Sequence, residues 1–134
     1  MNNDARDRGA TAVEVALLMP ILLILVMGIV DFGRALHAQI TLTQAAREGV
    51  RVAALKQPNP TGRTEDAAAG LDPASIGVTV TACPATPDDE DAEVEATYTF
   101  EFVTPVGGLA GMFGGGGFGS PILLSAKGVM PCES

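Results

Sequence analysis

Few residues in this 134-residue chain have types and spacings that could do chemistry. Gly9 is followed five residues later by Glu14, the one charge in GATAVEVALLMPILLILVMGIV, which runs from Gly9 to Val30. Sixteen uncharged residues, Val15 to Val30, come after it. A carboxylate costs about 2.5 to 3.5 kcal/mol at the centre of a bilayer, less near its edge, so its presence needs a reason. A first-turn acid interacting favourably with the helix dipole is one reason, and a residue read by another protein is the other. Cys83 and Cys132 form an even pair. They read as a disulfide closing about fifty residues, worth roughly 4 kcal/mol in the chain-entropy model, with two free buried thiols as the alternative.

The remaining signals are weaker. Asp88-Asp89-Glu90-Asp91 could hold calcium, but the run lacks the spaced ligands and glycine of a loop-type site, so a solvated turn is favoured. Gly114 to Gly119 satisfies GxGxxG literally. A dinucleotide loop would open a helix there, whereas Ser120-Pro121 leads into a strand and no acid lies about twenty residues on. A flexible loop with Leu109, Met112, Phe113 and Phe118 as apolar studs, able to touch lipid or a partner, is the better reading. His37 stands alone, with no cysteine or second histidine near it, so neither a zinc set nor a Ser-His-acid arrangement is suggested. No catalytic residue, metal ligand or cofactor is assigned, and the chain is read as a non-enzyme.

The elements that must position these residues follow from periodicity. Ala10 to Val30 as a helix is roughly 31 Å long, close to the hydrocarbon thickness of a bilayer. A cleaved secretory signal would have a shorter apolar core and a small-residue cleavage site, but the helical pattern continues unbroken through Asp31-Phe32-Gly33-Arg34-Ala35-Leu36. Phe32, Leu36, Ile40, Thr43, Ala46, Val50 and Ala53 recur at three- and four-residue steps, predicting one helix from about Ala12 to Leu55. Pro20 removes one backbone bond within it, so a kink near Ala16 to Pro20 is expected. Ala45, Gly49 and Ala53 make a ridge of small residues that lets another backbone approach closely, either the domain's own sheet or a neighbouring helix. Residues 1 to 8 are polar, mixed in charge and expected to be disordered. Gln57-Pro58-Asn59-Pro60-Thr61-Gly62 ends the helix, and a short one from Glu65 to Ala69 follows, capped by Thr64 and stopped by Gly70.

Beyond the apolar stretch the chain carries six Lys or Arg against thirteen Asp or Glu, a net charge of minus seven. Nucleic acid and anionic membrane surfaces require the opposite sign, so the balance argues against them as partners. Three alternating stretches read as strands with one buried face: Ile76, Val78, Val80 and Ala82; Val94, Ala96, Tyr98, Phe100 and Phe102; Ile122, Leu124, Ala126 and Met130. In a simple meander, Cys83 and Cys132 lie at the same end but about 9.6 Å apart across the middle strand. A disulfide needs Cα atoms within about 7 Å, so either the residues leave the strands and converge or the third strand lies beside the first.

A short polar leader ending in glycine, then an apolar helix with glutamate at its fifth residue, is the layout of type IV prepilins. Taken with Asp31-Phe32-Gly33-Arg34-Ala35 and Ala45-Ala46-Arg47-Glu48-Gly49-Val50-Arg51, the segment from Gly9 to Arg51 resembles the TadE-like family, pseudopilins of the tight-adherence (Flp/Tad) pilus system. Val15 stands where that family usually carries an aromatic residue. The resemblance implies an α+β, pilin-like fold: a long N-terminal helix, transmembrane in its lower half, packed on a small, mostly antiparallel three-stranded sheet. It implies a leader over residues 1–9, a membrane-spanning helix and its extension over 10–56, and an extracytoplasmic domain over 57–134. Processing would involve Gly9, Ala10 and Glu14, and helix packing Phe32, Gly33, Ala45, Gly49 and Ala53. Glu14 would be read by the prepilin peptidase or would pair with the free amino terminus of an adjacent subunit. Other pilins, the prepilin peptidase, the assembly platform and the membrane are the implied partners. Arg6 and Arg8 before the helix and Arg34 after it leave orientation nearly undecided by charge. The resemblance places the leader in the cytoplasm and the domain outside the inner membrane. An unprocessed, membrane-anchored binding module is the alternative.

Overall fold

The computed structural model describes residues 3–84, 90–105, 107, 108, 111, 114 and 119–132, with side-chain surroundings from Gly9 onward. Its elements are α1 (Asn3–Ala54), α2 (Pro60–Ala67), a 3-10 turn (Pro73–Ser75), β1 (Ile76–Thr81), β2 (Asp91–Phe100) and β3 (Ile122–Pro131). They fall into two compact units, Met1–Gly33 with Phe102–Gly119 and Arg34–Glu101 with Ser120–Ser134.

The helix starts at Asn3 rather than near Ala12, so the expected disorder of the leader is corrected. Residues 3–11 hold no proline, and their one glycine costs about 1 kcal/mol, which a helix that is already nucleated tolerates as it extends. Pro20 lies inside α1, which continues through it. At the other end the helix stops before the prolines. Lys56 turns left-handed (φ 52°), its N–H donating to Ala53 O and that of Gln57 to Val52 O. These two bonds satisfy carbonyls that the last turn leaves open, as in a Schellman motif, with lysine in the place glycine usually takes.

The second helix also differs from expectation. It begins at Pro60, with Asn59 rather than Thr64 as its cap, the Asn59 side chain accepting from Gly62 N. Proline at the first helical position loses a donor that has no helical partner anyway, so Pro60 starts a helix here instead of preventing one. Thr64 is fully buried and its hydroxyl donates to Pro60 O at 2.9 Å. Arg63 reaches back to Glu48 of α1 at 2.7 Å, and this hydrogen bond holds the Glu48 carboxyl below its ordinary range.

The strands form a simple antiparallel meander in the order β1-β2-β3. Val94 pairs with Val80 on one side and Gly128 on the other, and Ala96 with Val78 and Ala126, so one sheet face gathers the alternating apolar residues. That face lies on α1. Val50, Ala53, Ala54, Ala92 and Val94 make one buried cluster, and Leu42, Ala46, Ala96 and Ala126 another. β2 ends at Phe100, so Phe102 lies outside the strand, as Ala82 lies beyond β1.

β3 is not beside β1; the cysteines instead leave their strands and converge. Cys83 and Cys132, each just past a strand end, form a disulfide with Cα atoms 5.8 Å apart.

The helix and sheet meet closely because the residues between them are small. A Cβ built on Gly128 would lie 2.7 Å from Ala46 O and 2.9 Å from Val50 Cγ1. Glycine inside a strand often marks such an approach of backbone to backbone. Gly128→Ala is therefore expected to destabilise the protein by about 1 to 3 kcal/mol through overpacking. Gly108→Ala, where nothing lies within 4 Å, serves as the control and should change little. Denaturant unfolding of the detergent-solubilised chain checks both.

Candidate functional site

The apolar part of α1 is exposed within its unit except at Ile24, Met27 and Gly28, which are half-buried. Leu17 is 70 % exposed and Ile21 62 %, and the most apolar window of the helix has a mean hydropathy of 2.7 with none of it buried in the protein. So much exposed hydrocarbon on one helix fits a lipid surround. The span is compatible with a single-pass membrane anchor.

Gly9, Ala10 and Glu14 all lie on this helix and are exposed. The Gly9–Ala10 bond is thus inside α1 rather than at its start, and nothing approaches Gly9 within 4 Å. Glu14 makes no hydrogen bond or ion pair with the described residues. Phe32 and Gly33 are also exposed, Phe32 at 66 % and Gly33 with nothing within 4 Å. Ala45, Gly49 and Ala53, in the other unit, are buried. A Cβ on Gly49 would sit 1.9 Å from Thr64 Oγ1 and 3.3 Å from Val94 Cγ1, so the small ridge is filled by α2 and the sheet of the same chain.

Asp31, read from sequence only as part of a family motif, has a structural role of its own. It is only 3 % exposed, and its carboxylate accepts from Val103 N at 3.4 Å, Thr104 N at 3.2 Å and the Thr104 hydroxyl. An acid at the far edge of an apolar stretch is the same signal that singled out Glu14, but its partners are 72 and 73 residues away in the chain. In the other unit, Arg34 places its guanidinium 5.3 Å from the centre of the Phe100 ring, a cation–π distance.

The acidic run is described only at Glu90 and Asp91, and Asp88 and Asp89 lie outside the described residues. So do Leu109, Met112, Phe113 and Phe118 of the glycine-rich loop. Among the described residues no group of three or more His, Cys, Asp or Glu could hold a metal. His37 is exposed on α1.

One long apolar helix whose later part packs on a disulfide-closed, three-stranded antiparallel sheet defines an α+β protein, its helix compatible with a single-pass membrane anchor. Within that class, residues 9–51 match the family model described as TadE-like protein, which is consistent with a Tad pilus-associated component. No curated protein and no solved structure matches the chain.

Hydrogen bonds to a charged group are worth about 1.5 to 3 kcal/mol each. Asp31→Ala should therefore speed amide exchange at Val103 and Thr104 roughly ten- to a hundredfold, while amides of β2 and β3 keep their protection. Unchanged exchange at those two amides would show that Asp31 does not hold them.

Proposed function

We propose that this protein is a minor pilin or pseudopilin of a tight-adherence pilus system, with a structural rather than a catalytic role. The observation that carries the reading is the family match, which begins at Gly9 and covers the apolar helix through Arg51. The chain would insert with residues 1–9 in the cytoplasm and the sheet outside the inner membrane. A prepilin peptidase would cut between Gly9 and Ala10, and the freed helix would pack with other pilin helices at the assembly platform to prime or cap a filament. Glu14 fits a role toward another molecule, because it is exposed and without a partner among the described residues. Phe32 and Gly33 suit helix-to-helix packing for the same reason, since their own chain leaves them uncovered.

The unbroken helix across Gly9–Ala10 favours a second reading, an unprocessed anchored binding module. Peptidases bind extended backbone, so cutting this bond requires the first turns of α1 to unwind. N-terminal mass spectrometry of the protein from its native host separates the readings. The expected mature chain begins at Ala10, and Gly9→Asp abolishes the cut. An intact leader on the functional protein would favour the binding module. Glu14→Ala is expected to leave the sheet domain folded while impairing pilus assembly, scored by counting pili.

A further inference from the structure

The unit formed by Arg34–Glu101 and Ser120–Ser134 has two outer faces, one on each side of its helix-on-sheet layers. On α1, opposite the face that covers the sheet, Leu36, Ile40, Gln44, Arg47 and Arg51 follow one another at three- and four-residue steps, and all are exposed. The aliphatic pair is well open, with Leu36 50 % and Ile40 59 % exposed. Ile40, Gln44 and Arg47 also line a shallow open depression with Gln39 and Thr43. The upper part of this face is basic. Its neighbouring acid, Glu48, is taken up by Arg63 at 2.7 Å and by Arg51 at 3.7 Å, and Arg47 forms no ion pair with the described residues.

The outer face of the sheet is the counterpart. β2 presents Glu93, Glu95, Thr97 and Thr99 there, and β3 presents Leu123, Ser125, Lys127 and Val129. Leu123 is 69 % exposed and Val129 52 %. Lys127 engages Glu93 at 2.6 Å, while Glu95 forms no ion pair with the described residues. Each face therefore combines two exposed aliphatic side chains with ionised groups, and the unpaired charges on the two faces are opposite in sign.

The vertical order of these groups matches as well. Val50 of α1 packs at the level of Val94, and Ala46 at the level of Ala96 and Ala126. Arg47 thus stands level with Glu95 and with Lys127, which Glu93 engages, Arg51 stands level with Glu93 and Val129, and Leu36 and Ile40 lie toward the end of the sheet where Leu123 pairs with Thr99. Two copies of this unit placed side by side with their helical segments parallel bring complementary groups to the same height.

We propose that the occupant of the α1 face is a second copy of this chain, which docks the outer face of its sheet there. Arg47 of one copy faces Glu95 of the next, and Leu36 and Ile40 pack toward Leu123. The contact uses different surfaces on the two copies, so each added copy leaves one face of each kind open and the array can grow. The proposal deepens the pilin reading by naming the partner, and it rests on that reading.

The test uses the full chain reconstituted in phosphatidylcholine vesicles, with Gln44→Cys on the helix face, Ser125→Cys on the sheet face, and a short bis-maleimide cross-linker that spares the native disulfide. The double variant is expected to give a ladder of covalent multimers, and neither single variant any cross-linked product. Adding Glu95→Arg should weaken the ladder about tenfold through like-charge contact, and further adding Arg47→Glu should restore it. Absence of a ladder, a ladder indifferent to the charge reversals, or a dimer from a single-cysteine variant would each overturn the proposal. N-terminal mass on host-derived protein reads leader cleavage separately, so loss of this contact and loss of the pilin reading give different results.

Discussion

The near contact of α1 with the sheet is the constraint on which the rest of this structure depends. The residues between the two layers are mostly alanine, valine and glycine, and Gly128 brings β3 against the backbone oxygen of Ala46. A thin interface of this sort buries little hydrocarbon per residue, so its stability rests more on closeness of fit than on volume. It also fixes the pattern of the sheet, with Ala92, Ala96, Ala126 and Gly128 at the closest approach and the larger Tyr98, Leu124 and Met130 packed around them. Gly49 has the same role toward α2, where Thr64 fills the space that a side chain would need.

A core this thin gains from constraints other than packing. The disulfide between Cys83 and Cys132 spans 49 residues of sequence and ties the ends of β1 and β3 across the middle strand. Closing so long a loop restricts the unfolded chain considerably. Glu48 and Arg63 join α1 to α2 on the surface, a smaller effect because both side chains remain partly in water. The strand ends, the helix pair and the sheet are thus each connected to α1 or to one another by a link that does not require a larger core.

Much of the fold was legible in the sequence because it depends on period. The run from Phe32 to Ala53 repeats at helical steps and the stretch from Val94 to Phe100 alternates, and both patterns survive in α1 and β2. The cysteines left two geometries open, and the meander with convergent ends is the one adopted. What was not legible is what the pattern does not encode. Pro60 reads as a breaker until Asn59 is seen to cap the helix it begins. Gly128 is silent between Ala126 and Met130, although a glycine on the buried face of a strand could have flagged the approach of α1. Asp31 was read only as part of a family motif, because its partners at Val103 and Thr104 are distant in sequence.

Asp31 and Glu14 bracket the apolar segment. They are seventeen residues apart, so they stand about 26 Å from one another along the helix, close to the thickness that the hydrocarbon between them would cross. Their surroundings differ. Asp31 is buried, and the chain itself supplies its carboxylate with two backbone donors and a hydroxyl. Glu14 is exposed and receives nothing comparable from the described residues. An acid at the edge of hydrocarbon that its own fold leaves unsatisfied is stabilised by water at the interface or by a donor from another molecule. The contrast between the two carboxylates divides the helix: the end near Asp31 is committed to holding its own chain, and the acid at the Glu14 end is left open.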